Sequence, residues 1–179
     1  ALENTADTET RTNNTLLIVK SAGNSGPGAQ TITSPSAAKN MVVVANSENV
    51  RPAGEGIGAA ADNMNHLRSS SSAGFTADGR VKPDVTAPGT FIVSTHTPLG
   101  TASCTTLFPT NGNYSYCTGT SMAAPHVAGM AALIREYLTT VKATPNPSGA
   151  LIKAFLINGA QDIPDTGVIG GGGTNRGTG

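Results

Sequence analysis

The segment Gly119-Thr-Ser-Met-Ala-Ala-Pro-His-Val-Ala-Gly129 places a hydroxyl side chain, Ser121, at the start of a run of small and apolar residues. Apolar residues then recur at steps of three and four, which is the period of a helix and not of a strand. The opposite side carries alanine and glycine, so the pattern predicts a central helix that is buried on several sides. A serine at this position lies among the N–H groups of a helix N-terminus, which can stabilise an oxyanion that develops beside it.

The same segment resembles, almost residue for residue, the serine-nucleophile motif of the subtilisin-like serine proteases, the subtilases. It is not the Gly-x-Ser-x-Gly motif of the α/β-hydrolases, because Met122 and Ala123 follow the serine. Taken without the resemblance, Ser121 is the N-cap of a core helix. The resemblance implies a peptidase with Ser121 as its nucleophile and a peptide or protein as its substrate. It also implies an α/β fold: part of a largely parallel subtilisin-like sheet with a buried central helix and packing helices.

A second segment, Ser21-Ala-Gly-Asn-Ser-Gly26, follows an apolar run at the end of a predicted strand, where open α/β sheets bind ligands. Asn-Ser-Gly is also common turn chemistry, so Asn24 alone would be interpreted as a turn residue. The segment resembles, however, the subtilase segment whose asparagine donates a hydrogen bond to the oxyanion. The resemblance implies that Asn24 is catalytic. It further implies that Ser21, Ala22 and Gly23 line one wall of the pocket for the residue before the scissile bond.

Three apolar runs predict strands of the sheet: Leu16–Lys20, Met41–Ala45 and Phe91–Thr95. The third run follows the proline-containing segment Lys82–Gly89, which also resembles subtilases. We expect Asp84 in that segment to hold neighbouring backbone N–H groups and not to act as a catalytic acid.

A second helix is predicted over residues 146–159, with Asn146 as its N-cap and Asn158-Gly159 as its end. After Asp162 the chain becomes rich in glycine. We therefore expect residues 160–179 to form a flexible tail on a partial catalytic domain that comprises residues 1–179.

The bulk composition narrows the classes of partner. The chain has 179 residues, a formal net charge of +0, only 12% charged residues and no cluster of Lys or Arg, so nucleic acid is not an expected partner. No apolar run approaches the ~20 residues that are needed to span a bilayer, so a membrane is not an expected partner either. Its two cysteines, Cys104 and Cys117, fit one local disulfide and therefore an oxidising, secreted or extracellular location. Two free thiols are the alternative.

The segment Asp62-Asn-Met-Asn-His66 contains oxygen ligands, but it lacks the alternating spacing and the glycine of a calcium loop. We interpret it as a loop held by hydrogen bonds and predict no metal site and no cofactor for this chain. The resemblance leaves structural calcium open for the complete enzyme. The run from Ala38 to Gly89, which includes Glu48-Asn-Val-Arg-Pro52, is most similar to the bacterial subtilases that often carry a C-terminal β-barrel.

A serine peptidase also needs a general base within reach of its nucleophile and an acid that orients the base. His126 lies five residues after Ser121 on one helix, about 7.5 Å along the axis and about 140° around it, so it is not that base. His66 and His96 occur in no His-Gly-Thr context, and Asp165-Thr-Gly167 is interpreted as a turn. We therefore expect the C-terminal half of a subtilase catalytic domain, inactive by itself, whose partner is the N-terminal half that carries the triad Asp and His.

Two other functions remain open at this stage. One is a pseudoprotease or interaction module, and the other is an acyl-transferring relative that uses the same nucleophile. Subtilase strand order places Leu16–Lys20 beside a strand of the N-terminal half, so this edge is expected to promote self-association of the fragment.

Overall fold

The computed structural model describes residues 2–52, 55–57, 61–97, 104 and 106–163. In chain order its elements are α1 (Leu2–Thr12), β1 (Val19–Ser21), β2 (Val42–Ser47), β3 (Val85–Pro88), β4 (Ile92–Thr95), β5 (Thr106–Phe108), β6 (Asn111–Cys117), α2 (Thr120–Thr140) and α3 (Gly149–Asn158). None of the helices in these ranges is both long enough and apolar enough to cross a membrane.

A parallel sheet of three strands, in the order β1-β2-β3, lies between helices. All six residues of β2 are buried, in agreement with the strand predicted at Met41–Ala45. Its side chains alternate between the two faces, as strand geometry requires. Val42 and Val44 pack against residues of α2 and α3, whereas Val43 packs on the side of α1. The mixed α/β architecture with a parallel sheet and packing helices is therefore the predicted one.

The third strand of this sheet is not the one that the sequence predicted. It is β3, within the proline-containing segment, and Val85 pairs with Val44. The predicted run contains β4 instead, which belongs to a separate antiparallel sheet in the order β4-β6-β5. The separation arises at Phe91, whose φ of 52° turns the chain between the two sheets.

Asp84 has the structural role that was predicted. Its Oδ2 accepts hydrogen bonds from the backbone N–H of Val43 at 2.8 Å and from Lys82 Nζ at 2.6 Å. Its Oδ1 lies 2.9 Å from Lys153 Nζ. Burial lowers the pKa of Lys82 to about 8, although the neighbouring carboxylate of Asp84 opposes that shift. This group of charges fastens β2 to the start of β3 and to α3.

The central helix α2 is buried on one side only, so the predicted burial on several sides is wrong for the described residues. The side chains that face the sheet are Ala123, Val127, Ala131 and Leu138. Met130, Leu133 and Tyr137 are instead 52%, 60% and 42% exposed. The small residues on that side would allow close packing, but no described element packs there, and an apolar helix face is left open.

Two smaller predictions also need correction. The first strand is shorter and lies later than the run Leu16–Lys20: β1 begins at Val19 and forms one edge of its sheet. The N-cap of α3 is Ser148, whose Oγ accepts the N–H of Leu151 at 3.1 Å, and not Asn146, which has a φ of 52° outside the helix. The helix ends at Asn158, as predicted. Most of the predicted tail, including the Asp165–Gly167 segment, lies outside the described residues.

Candidate active site

Ser121 is the second residue of α2 and is exposed. The N-cap of the helix, Gly119, has a φ of 155°, and a Cβ at this position would lie only 3.3 Å from Asn24 Nδ2. Its N–H donates to the carbonyl of Gly89 at 2.8 Å, which fixes the turn before the helix. The first N–H groups of a helix have no intrahelical carbonyl to bind, and that of Ser121 is one of them. The hydroxyl of Ser121 and a backbone donor with no intrahelical acceptor therefore lie on the same residue.

Thr120 determines the orientation of the Asn24 side chain. Its backbone N–H donates to Asn24 Oδ1 at 3.0 Å, and its Oγ1 lies 3.1 Å from the same oxygen. A backbone N–H is always a donor, so the amide oxygen of Asn24 must face Thr120. The amide nitrogen then faces away from Thr120, and no described residue accepts a hydrogen bond from it. The structure thus leaves the Nδ2 donors of Asn24 available beside the serine.

The backbone of Gly23 completes this arrangement. Its N–H donates to Thr120 Oγ1 at 3.2 Å, so the threonine hydroxyl connects the two segments that resemble subtilases. Gly23 has a φ of 111°, and a Cβ there would lie 2.8 Å from Ser72 Oγ. Ser21 and Ala22 lie at the end of β1 and just after it, and Ala22 is buried. The substrate-contacting role of Ser21, Ala22 and Gly23 stays a prediction.

A cavity of about 410 Å³ lies beside Ser121. Phe91, Tyr116 and Met122 line it, together with Asn24 and the two cysteines. The rings of Phe91 and Tyr116 meet edge to face with centroids 5.7 Å apart. The phenol of Tyr116 donates to Glu55 Oε2 at 2.6 Å. Burial, and then this bond, raises the pKa of Tyr116 above its ordinary value, so the hydroxyl remains a donor.

The aromatic wall of this cavity was not predicted from the sequence. Tyr116 stands next to Cys117 in β6, but no motif marks it, and its partner Glu55 is 61 positions away. The disulfide between Cys104 and Cys117 is formed in the structure, with Cα atoms 5.0 Å apart. It lies in the wall of the same cavity.

None of the three histidines forms a hydrogen bond to Ser121 in the described part of the chain. His126 shares a second depression with Ser121, but its Nδ1 lies 2.9 Å from the carbonyl oxygen of Met122, so this nitrogen carries the proton and donates it. His66 contacts Asn63, and the backbone N–H of His96 donates to Asn113. Within the described ranges no side chain forms a hydrogen bond to Ser121 Oγ.

Known proteins are similar to this chain in both sequence and structure. Over 151 residues it is 32% identical to the serine protease AprX of Bacillus subtilis, an alignment that covers 84% of this chain and 31% of AprX. Over 72 residues it is 44% identical to the subtilisin-like protease SBT4.10 of Arabidopsis thaliana, covering 36% of this chain and 10% of that protein. The chain thus spans less than a third of the length of these curated relatives.

A solved protease structure from Pseudoalteromonas arctica superposes with a TM-score of 0.62 at 26% identity, covering 90% of this chain and 40% of that one. The assignment to the bacterial branch with a C-terminal barrel stays a prediction. A sequence model of the Subtilase family matches residues 1–179. The chain belongs to the subtilase family.

Proposed function

We propose that this chain is the nucleophile-bearing part of a serine endopeptidase, which hydrolyses peptide bonds through an acyl-enzyme on Ser121. The observation that carries the proposal is the Thr120–Asn24 contact. It occupies the amide oxygen of Asn24 and leaves the Nδ2 donors unused near Gly119, just before the helix, where the N–H of Ser121 also has no intrahelical acceptor. Two donors beside a nucleophile form an oxyanion hole for the tetrahedral intermediate of acyl transfer.

In this mechanism Ser121 Oγ attacks the carbonyl carbon of the scissile bond while a general base accepts its proton. The carbonyl oxygen becomes an oxyanion, which accepts hydrogen bonds from Asn24 Nδ2 and from the N–H of Ser121. Collapse of the intermediate breaks the C–N bond while the protonated base gives its proton to the leaving amine, and an ester remains on Ser121, which water then hydrolyses. The base and its orienting carboxylate would come from a segment outside this sequence, because the described residues bring no histidine to Ser121 Oγ.

The substrate would lie across the opening of the aromatic cavity. Its walls are formed by Phe91, Tyr116 and Met122 on one side of the nucleophile, and Ser21–Gly23 would form the wall beyond Asn24. The disulfide at this wall supports a secreted or extracellular location, since disulfides persist in oxidising compartments.

Hydrolysis of a chromogenic peptide by the complete gene product tests the proposal. Ser121→Ala should abolish turnover, whereas Ser94→Ala, which changes another serine near the site, should retain it. A phenolic ester substrate should give a burst of one product per active site, because acylation by an activated ester is faster than deacylation and the acyl-enzyme accumulates. Full turnover by Ser121→Ala would contradict the proposal.

A further inference from the structure

A buried carboxylate that has no hydrogen-bond partner among the described residues lies just after β2. Glu48 is 0% exposed, and neither of its carboxylate oxygens has a hydrogen-bond partner in the part of the chain that the structure describes. An ionised carboxylate is costly to bury unless it is paired or coordinates a cation. The nearby Arg51 does not neutralise it, because its guanidinium holds Glu55 through contacts of 2.8 and 3.1 Å.

Two further ligand groups face the same point. His66 Nδ1 is also buried without a hydrogen-bond partner and lies 3.7 Å from Glu48 Oε2. The third group is the carboxylate of Asp62, which is exposed. Glu48 and Asp62 each offer a carboxylate oxygen and His66 offers a ring nitrogen, and these three atoms all lie within 4.8 Å of one another. That separation is short enough for one cation to contact all three groups.

The backbone holds these groups in position. Glu48 N–H donates to the carbonyl of His66 at 2.8 Å, and Arg51 N–H donates to that of Ala61 at 2.9 Å. The turn between them is closed by the bond from His66 N–H to the carbonyl of Asn63, at 3.0 Å. The segment from Ala61 to His66 is therefore hydrogen-bonded at both ends to residues 48–51, which follow β2, before any cation binds.

We propose that Glu48, Asp62 and His66 form a binding site for one divalent cation. Two carboxylates carry a charge that a divalent ion neutralises when the imidazole is neutral. One nitrogen and two oxygens are ligands that Zn²⁺ accepts, whereas Ca²⁺ would need further oxygens from backbone or water. This proposal differs from the sequence-based prediction of no metal site in the segment Asp62–His66.

Cation binding would change the proton on His66. Asn65 N–H donates to Asn63 Oδ1 at 3.0 Å, which directs Asn63 Nδ2 toward His66 Nε2 at 2.9 Å. Nε2 is then an acceptor and Nδ1 carries the proton. A cation at Nδ1 displaces that proton, moves the ring N–H to Nε2 and turns the Asn63 amide so that its oxygen accepts.

The site also connects to the cavity wall. Glu48 and Asp62 bracket the segment that carries Glu55, which accepts the hydroxyl of Tyr116. A cation that binds these groups only in the folded chain stabilises that chain by mass action, so we expect higher thermal stability in the bound state.

The test uses chelator-treated, dialysed protein and separate titrations with Zn²⁺ and Ca²⁺ by calorimetry. We expect one ion per chain for at least one of the two metals, and a Tm increase of roughly 5–10 °C at a hundredfold excess over Kd. Asp62→Asn, at an exposed position, should lower the affinity at least roughly tenfold. Asp78→Asn is the matched control, because this carboxylate contacts Thr76 and Arg80 and lies outside the cluster.

The variant Glu48→Gln distinguishes two explanations of the buried carboxylate: a bound cation, or an ion pair with a protonated His66. If a cation is the partner, the metal-free variant should melt at or above the temperature of metal-free wild type and show no shift with metal. If His66 is instead a protonated partner, Glu48→Gln should melt lower without metal, which would overturn the proposal. Folded wild-type protein that binds neither ion, or binding that Asp62→Asn leaves unchanged, would overturn it too.

Discussion

Replacement of Asn24 tests the oxyanion hole most sensitively, because the two ends of the side-chain amide have different roles. Oδ1 accepts hydrogen bonds from Thr120, and Nδ2 is the proposed donor to the oxyanion. In Asn24→Ala the donor is lost, and Thr120 N–H and Oγ1 lose the acceptor that they contact at 3.0 and 3.1 Å. Each such bond contributes about 0.5–1.5 kcal/mol net, so the free energy of unfolding should fall by about 1–3 kcal/mol. The expected decrease in kcat is about 10²–10³ with KM nearly unchanged, a magnitude measured on subtilisin, a member of the same family.

Asn24→Asp separates these two effects. It keeps an oxygen for Thr120, so the Tm should stay near that of wild type. It removes the N–H donors and places a negative charge beside the oxyanion, so kcat should fall at least as far as in Asn24→Ala. Thr120→Val should lower kcat roughly five- to tenfold through loss of one orienting bond, whereas Thr120→Ser should retain it.

The assay is steady-state hydrolysis of a chromogenic peptide by the complete gene product, together with thermal melting of each variant. Wild-type kcat in a folded Asn24→Asp variant would refute the reasoning, since Asn24 would then be only a turn residue that Thr120 holds.

Three other predictions follow from the remaining contacts. Folding lowers the pKa of Lys82 from 10.5 to about 8, so between these pH values the side chain is protonated mainly in the unfolded chain. The free energy of unfolding should therefore rise with pH in this window. Urea denaturation of Lys82→Met should not show this rise. Mass spectrometry without reduction should find the peptides of Cys104 and Cys117 linked, and a pair of alkylatable thiols would rule the disulfide out. The 179-residue chain alone should show no peptidase activity and should self-associate through the β1 edge and the open face of α2. Light scattering should report a smaller mass for Leu133→Lys than for the exposed-site control Glu136→Gln, and a monodisperse, active wild-type monomer would contradict both parts.

The elements that local sequence determines were predicted well. The run of valines in β2 and the three- and four-residue period of α2 are strong signals, because burial of one face imposes them. Ser121 and Asn24 were singled out because their short segments resemble subtilase motifs, and their catalytic roles stay predictions. The glycines at 23 and 119 leave room for the side chains of Ser72 and Asn24. The structure adds the Thr120 contact that brings the two motifs together.

The features that depend on distant residues could not be predicted. The run Phe91–Thr95 was predicted to be the third strand of the parallel sheet, but β3 takes that place. The difference depends on the positive φ of Phe91, which is uncommon for an aromatic residue. The wall formed by Tyr116 and the cluster of Glu48, Asp62 and His66 depend on contacts across many positions. The open side of α2 could not be predicted, because apolar residues such as Met130, Leu133 and Tyr137 are typical of a helix face that packs against another element.

Covalent labelling of the nucleophile tests the central claim most directly. A fluorophosphonate probe reacts with a serine that is activated by a base and stabilised by an oxyanion hole. Applied to the complete gene product and followed by peptide mass mapping, it should modify Ser121 alone, and Ser121→Ala should abolish the modification. A demonstrably active enzyme that is labelled at another serine, or not labelled, would contradict the assignment of Ser121 as the nucleophile.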